Sequence, residues 1–268
     1  MLIRRAAVAT ALALAAASAP AAAQQAGVSG SFDPAASGAI VAVAVADANG
    51  PAVVVRPGSG PPVRFADARS PAVDGERLAY ADSGGIRVVG WRSGLEITRL
   101  DGDLSKPALD WPRLAYVRPT RGGGQSLELV HLVTGTRRVV ARVGSGVDLG
   151  RPALRRGLIA WHVAAGRHSE IRITSAVRLG RGRVVAASVT GLQINPSLSG
   201  RNILWVEQAA STSYLRLRAI AGGRVRTLAT LQGSRHILWT SALGGRTAYA
   251  TRWNPTRARG TVIARRWR

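Results

Sequence analysis

Three aspartates share one position of a recurring pattern: Asp67, Asp103 and Asp148 each lie four residues before an anchor residue, and His236 takes the same place before Thr240. Carboxylates are hard oxygen donors and proton acceptors, and an imidazole titrates near neutral pH. Gathered on one rim, such groups could hold a cation or a basic ligand, or divide acid–base work between them. The plainer alternative is that each aspartate ends an incoming connection and binds local backbone N–H groups. Directly before the anchors stand Asp33, Ser70, Lys106, Arg151, Asn195 and Trp239. That set is chemically varied, as the lining of a channel would be.

Recognised catalytic patterns are missing. There is no Gly-x-Ser-x-Gly elbow for a serine hydrolase and no His-Glu-x-x-His metal helix. Lys106 is the only lysine and follows Ser105 outside any glycine-rich loop, which excludes a P-loop nucleotide site. GRGRVV at 180–185 has two of the three glycines of a dinucleotide fingerprint, and DGD at 101–103 is a calcium-loop fragment without its other ligands. The absence of cysteine removes disulfides, thiolate zinc sites and cysteine nucleophiles. His162, with Glu170 downstream, could form an acid–base pair, although a histidine satisfied within a sheet needs no such role. No cofactor and no metal are expected.

The elements that must position these residues follow from a repeat. Pro34, Pro71, Pro107, Pro152, Pro196 and Thr240 serve as anchors. Nine positions after them come Val43, Tyr80, Tyr116, Trp161, Trp205 and Tyr249, and seven after come Val41, Leu78, Leu114, Ile159, Ile203 and Thr247. Four after each anchor, glycine recurs as Gly38, Gly75, Gly200 and Gly244, with Trp111 and Arg156 as exceptions. Each unit reads as short strands, as in RLAYAD, IRVVGW and LEITRL of the second, with β-branched residues, period-two alternation and polar breaks. Four short strands in roughly 40 residues is propeller-blade arithmetic. The expected fold is therefore all-β: a six-bladed β-propeller of four-stranded antiparallel blades, with repeats starting near residues 30, 67, 103, 148, 192 and 236. The last repeat is about one strand short, and residues 25–32 could supply the missing outer strand and close the ring. On that ring, Asp67, Asp103, Asp148, His236, Lys106, Arg151 and Asn195 are the expected ligand-binding residues at the channel mouth.

The pattern Pro-x-φ-x-Gly-x-x-φ-Ala-aromatic, where φ is apolar, resembles the TolB-type β-propeller repeat. Its best local match is PAVDGERLAY at 71–80. The Trp-Ser-Pro segment of the fuller family motif is missing from every repeat. The resemblance covers about residues 30–268 and implies an isolated propeller without the N-terminal domain of TolB; no TolB activity is carried over.

Residues 1–23 read as an export signal, with Arg4 and Arg5 ahead of an alanine-rich apolar stretch and small residues before Gln24. Cleavage is expected after Ala23, leaving residues 24–268 as a single domain without a transmembrane segment, secreted or held in the periplasm or cell envelope. Formal net charge is +23, unevenly spread: residues 24–150 hold 14 cations and 12 acids, whereas residues 151–268 hold 21 arginines and only Glu170 and Glu207. Arg178, Arg181, Arg183, Arg216, Arg218, Arg224 and Arg226 form its densest clusters. Such a surface suits an anionic envelope polymer or an acidic protein, and export argues against nucleic acid as the target. The sequence reading favours an exported, non-catalytic binding or scaffold module. Its alternative is a propeller enzyme, a lyase or glycan hydrolase, with its active site at the channel mouth.

Overall fold

The computed structural model describes residues 29–233 and 235–267. The proposed signal (1–23) and residues 25–28 of the suggested closing strand lie outside them. All regular structure among the described residues is β-strand.

The chain lays down β1 (Ser29–Ser37), β2 (Ile40–Asp47), β3 (Gly50–Arg56) and β4 (Val63–Ala66) as successive antiparallel neighbours. The same order is repeated by β5 (Arg69–Asp74), β6 (Arg77–Ala81), β7 (Gly85–Gly90) and β8 (Glu96–Asp101), and by β9 (Ser105–Asp110), β10 (Arg113–Pro119), β11 (Gln125–His131) and β12 (Arg137–Val143). In the next unit the first strand is split. β13 (Val147–Leu149) and β14 (Ala153–Arg155) both pair with β15 (Leu158–Ala165), followed by β16 (His168–Ser175) and β17 (Arg183–Ser188). Next come β18 (Gly191–Ser199), β19 (Asn202–Ala209), β20 (Thr212–Ala219) and β21 (Arg226–Gln232), and finally β22 (Ile237–Gly244), β23 (Thr247–Asn254) and β24 (Arg259–Arg266).

The expectation of six four-stranded blades is overturned by the hydrogen bonding. Four discrete blade sheets are present: β5–β8, β9–β12, β13–β17 and β18–β21. The remaining strands make one seven-stranded sheet in the order β22-β23-β24-β1-β2-β3-β4. The fusion has a small cause. Ser29 and Gly30 of β1 pair in parallel with Arg259 and Gly260 of β24, so the two ends of the described chain share a ladder instead of forming separate blades. The architecture is nonetheless an all-β propeller. First strands pack in sequence, β1 on β5, β5 on β9, β9 on β14, β14 on β18, β18 on β22 and β22 on β1, which closes the ring.

The repeat positions are those that hold the sheets together. Leu78, Leu114, Ile159 and Ile203 are fully buried in second strands, and Tyr116, Trp161 and Trp205 lie two residues further along, also buried. Both faces of a second strand can be apolar because each sheet is covered by its neighbours. The five apolar clusters draw on neighbouring units, for instance Val53, Val55, Val73, Leu78, Tyr80 and Trp91 in one and Leu204, Leu217, Leu238 and Ala248 in another. At ~25 cal/mol per Å² of apolar surface removed from water, this stacking is the main favourable contribution to folding. Gly38, Gly75 and Gly200 occupy the turns into the second strands with φ of +60°, +55° and +57°, where a side chain would be strained.

Candidate functional site at the channel mouth

The pre-anchor residues owe their placement to β-bulges. Ladder register slips between Phe32 and Ala35, Arg69 and Ala72, and Ile194 and Ser197, and opposite β9 between Ala115 and Val117. At each slip the residue before proline takes a left-handed backbone: Asp33 (φ 48°), Ser70 (49°), Lys106 (55°) and Asn195 (51°). A bulge bends the strand and re-aims its side chain, and here all four residues become buried.

One of these, Lys106, meets the next unit. Its ammonium donates to Asp148 Oδ1 at 3.0 Å and to the Leu149 carbonyl at 2.8 Å. The other Asp148 oxygen lies 3.2 Å from His162 Nε2, while His162 Nδ1 accepts the Asn195 backbone N–H at 3.0 Å. With Nδ1 accepting, a neutral His162 carries its proton on Nε2 and donates it to Asp148. Burial holds the imidazole below its usual pKa, which favours that neutral form. For Asp148, burial pushes upward, but the His162 hydrogen bond and the Lys106 charge prevail and hold the carboxyl well below the ordinary carboxylate range. The result is a fixed anion with a cation and an imidazole behind it.

In front of Asp148 opens a cavity of about 660 Å³. Gln125, Arg167, Thr190 and Gln208 share its lining with Asp148. The cavity lies on the face that carries the connections between units and the hairpin turns at Gly166 and Ala210. Gln125 is held in place by accepting the Leu149 N–H at 2.6 Å, and Gln208 by donating to the Leu238 carbonyl at 2.8 Å. Asp148 is the cavity's only acidic lining residue among those described.

The other expected residues fare differently. Asp67 and Asp103 are exposed, and neither side chain makes a hydrogen bond or ion pair among the described residues. The three aspartates therefore form no shared rim. Their connections end at the same face, but only that before Arg151 is folded against a bulged lysine. His236 is half-buried, with Nε2 3.5 Å from Asn254 Nδ2. Asn195 contributes its backbone to His162 and donates its side chain to the Trp239 carbonyl at 2.8 Å. Arg151 turns to the axis, donating to the Pro34 carbonyl at 3.1 Å and also to the Pro71 carbonyl. Only about 60 Å³ of free space remains there among the first strands. Burial pushes the Asp33 carboxyl upward while Arg151 opposes the shift. Glu170 is not the partner of His162; its carboxylate is taken by Arg172 Nε at 2.5 Å. The Asp148–His162 pair was not legible from spacing, although a glycine at 150 was a hint, because a Cβ there would fall on the His162 ring.

Part of the arginine excess is structural. Arg183 donates to the Ile220 carbonyl at 2.6 Å, and Arg218 donates back to the Val185 carbonyl at 3.0 Å, which ties two sheets together. Arg216 pairs with Glu207 at 2.8 Å and lies over the Tyr214 ring. Arg178, Arg181, Arg224 and Arg226 are exposed.

No family model matches the sequence, and no curated protein matches it. Solved structures do. TolB from Acinetobacter baumannii aligns with TM-score 0.59 at 16% identity, over 85% of this chain and 64% of that one. The β-propeller domain of the Trilobed protease from Pyrococcus furiosus aligns with TM-score 0.57 at 10% identity, over 89% and 95%. Oligogalacturonate lyase in complex with manganese gives TM-score 0.53 at 12% identity, over 89% and 77%. The chain spans about two fifths of the acylaminoacyl and prolyl peptidases it also matches, 43% and 40% of their lengths.

The fold is a β-propeller. These likenesses establish the fold alone, yet most of the neighbours are propellers of enzymes, and they count against the expected non-catalytic scaffold. The expectation of a non-catalytic scaffold is therefore corrected, and the enzyme alternative stands as a proposal. No helix among the described residues is long and apolar enough to cross a membrane.

Proposed function

We propose that the protein is a propeller enzyme of the lyase class, acting on an acidic oligosaccharide in the cavity over Asp148. The observation that carries the reading is a clamped, ionised carboxylate sharing one cavity with Arg167. Glycoside hydrolysis requires two carboxyl groups about 5–10 Å apart across the scissile bond, and this cavity offers one. Elimination needs a single base. A base removes the proton next to the sugar carboxylate, the bond to the leaving oxygen breaks, a carbon–carbon double bond forms, and the base returns the abstracted proton to the leaving oxygen. Arg167 would hold the sugar carboxylate by paired hydrogen bonds. Asp148 would accept the proton, its proton affinity raised when a bound anion arrives and water leaves. Manganese, present in the lyase neighbour, finds no ligand cluster here: among the described residues no three His, Cys, Asp or Glu side chains gather as a metal site.

The repeats are proposed to be of the TolB type, and residues 1–23 to direct export to the periplasm or cell exterior. N-terminal sequencing of the protein from its native envelope should begin at Gln24. The enzymatic reading is tested by incubating the full chain with a panel of acidic oligosaccharides and following the ultraviolet absorbance of unsaturated products. Turnover should vanish in Asp148→Asn, and in Arg167→Gln KM should rise roughly tenfold, as expected for loss of a charge-assisted hydrogen bond. Absence of unsaturated product across the panel, or cleavage of peptides instead, overturns it.

A further inference from the structure

A second cavity, of about 240 Å³, lies between the β9–β12 sheet and the turn after β16, apart from the channel mouth. Register explains its chemistry. Arg113 of β10 is paired directly with His131 of β11, and Leu129, two residues before His131, is paired with Arg138 of β12. Directly paired residues share a sheet face, as do residues two apart on one strand. Arg113, His131 and Arg138 therefore rise from one face of three neighbouring strands. Val177 of the next unit covers that face, and its carbonyl accepts from Arg138 Nη1 at 2.8 Å.

The polar groups left over are donors. His131 Nδ1 accepts the Thr134 N–H at 3.3 Å, which leaves Nε2–H as the donor of the neutral ring. Oγ1 of Thr134 and Oγ1 of Thr136 are 3.0 Å apart, with the Thr134 hydroxyl donating, so the Thr136 hydroxyl hydrogen is still available. The Arg113 guanidinium has no hydrogen-bond or ion-pair partner among the described residues. No carboxylate lines the cavity. Two fixed cations, an imidazole N–H and a hydroxyl thus converge on the cavity. The acid on the same face, Asp110, paired with Arg113 from β9, lies outside the lining, makes no ion pair with Arg113 and accepts the Gly157 N–H at 3.1 Å.

We propose that this cavity binds a tetrahedral oxyanion, a phosphate or sulfate group, free or as a monoester. Such a group offers several acceptor oxygens and matches guanidinium geometry. The residues are not those of the arginine-rich C-terminal half, and the site is independent of the proposed lyase chemistry.

Inorganic phosphate and inorganic sulfate, titrated calorimetrically into the full chain at constant ionic strength, should each bind saturably at one site. Arg113→Gln should weaken that binding about tenfold or more. Thr136→Val, which changes no charge, should weaken it by a few fold, whereas Arg167→Gln should leave it unchanged. Circular dichroism confirms that each variant is folded. Phosphate heat that is unsaturable, or that falls equally in Arg113→Gln and Arg167→Gln while Thr136→Val has no effect, means general attraction to a basic surface and overturns the site. Saturable binding unaffected by Arg113→Gln places the anion elsewhere and overturns it too.

Discussion

At the scale of single residues, Asp148 illustrates how a carboxyl is kept ionised in the free protein. Its carboxyl pKa is lowered by the His162 hydrogen bond and the Lys106 charge. A lowered acid pKa stabilises the folded state above the unfolded value of about 3.9, and that stabilisation is lost as pH falls below it. Asp148→Asn should therefore cost about 3 kcal/mol at neutral pH, because Lys106 would be left buried without its counter-charge. Urea unfolding of both proteins at pH 7 and pH 3 checks this: the gap between them should shrink at the lower pH. A gap that is the same at both would place the effect in packing. Tyr116 behaves oppositely, pushed up to about 12 by burial and by its hydrogen bond to Glu128. Its ultraviolet titration should stay silent through pH 10 in the folded protein.

At the scale of elements, the decisive features are bulges and one interrupted strand. The repeat spacing made the strands readable, because the apolar residues nine and seven positions after Pro71, Pro107, Pro152 and Pro196 become the buried side chains of second strands. The residues before the prolines were readable as one set, and four of them, Asp33, Ser70, Lys106 and Asn195, share a bulge position with left-handed backbone. What spacing could not reveal was which connection folds inward. Asp67, Asp103 and Asp148 are equivalent along the sequence, but only Asp148 has a split strand after it, with Gly150 between β13 and β14 making room for His162. Gly150→Ala should cost about 2 kcal/mol through overpacking. It should also displace His162 and so reduce the acid dependence assigned to Asp148. A urea midpoint unchanged by this substitution would show that the ring is not packed there.

At the scale of the whole molecule, the joining of the two chain ends was legible in outline, since residues 25–32 were expected to close the ring and Ser29 and Gly30 do pair with β24. The parallel pairing that fuses two units into one sheet was not. Two backbone pairs between β24 and β1 carry no side-chain signature. They predict that closure is sensitive to the C-terminus. Truncation before Arg259 strips β23 of one of its two partners along its full length, leaving β22 alone beside it, and leaves the start of β1 paired only with β2. Calorimetry should then show a Tm lowered by roughly 10 °C or more. A Tm unchanged by truncation would mean that the stacking of first strands alone carries the ring.

The axis itself limits what can pass through the disc. Arg151 reaches across to the carbonyls of Pro34 and Pro71, and the space left among the first strands is about that of two water molecules. No polymer can be threaded from one side of the disc to the other. On the proposed reading, a chain bound over Asp148 must therefore come and go on one side of the disc, so departing fragments and incoming chains share the same approach.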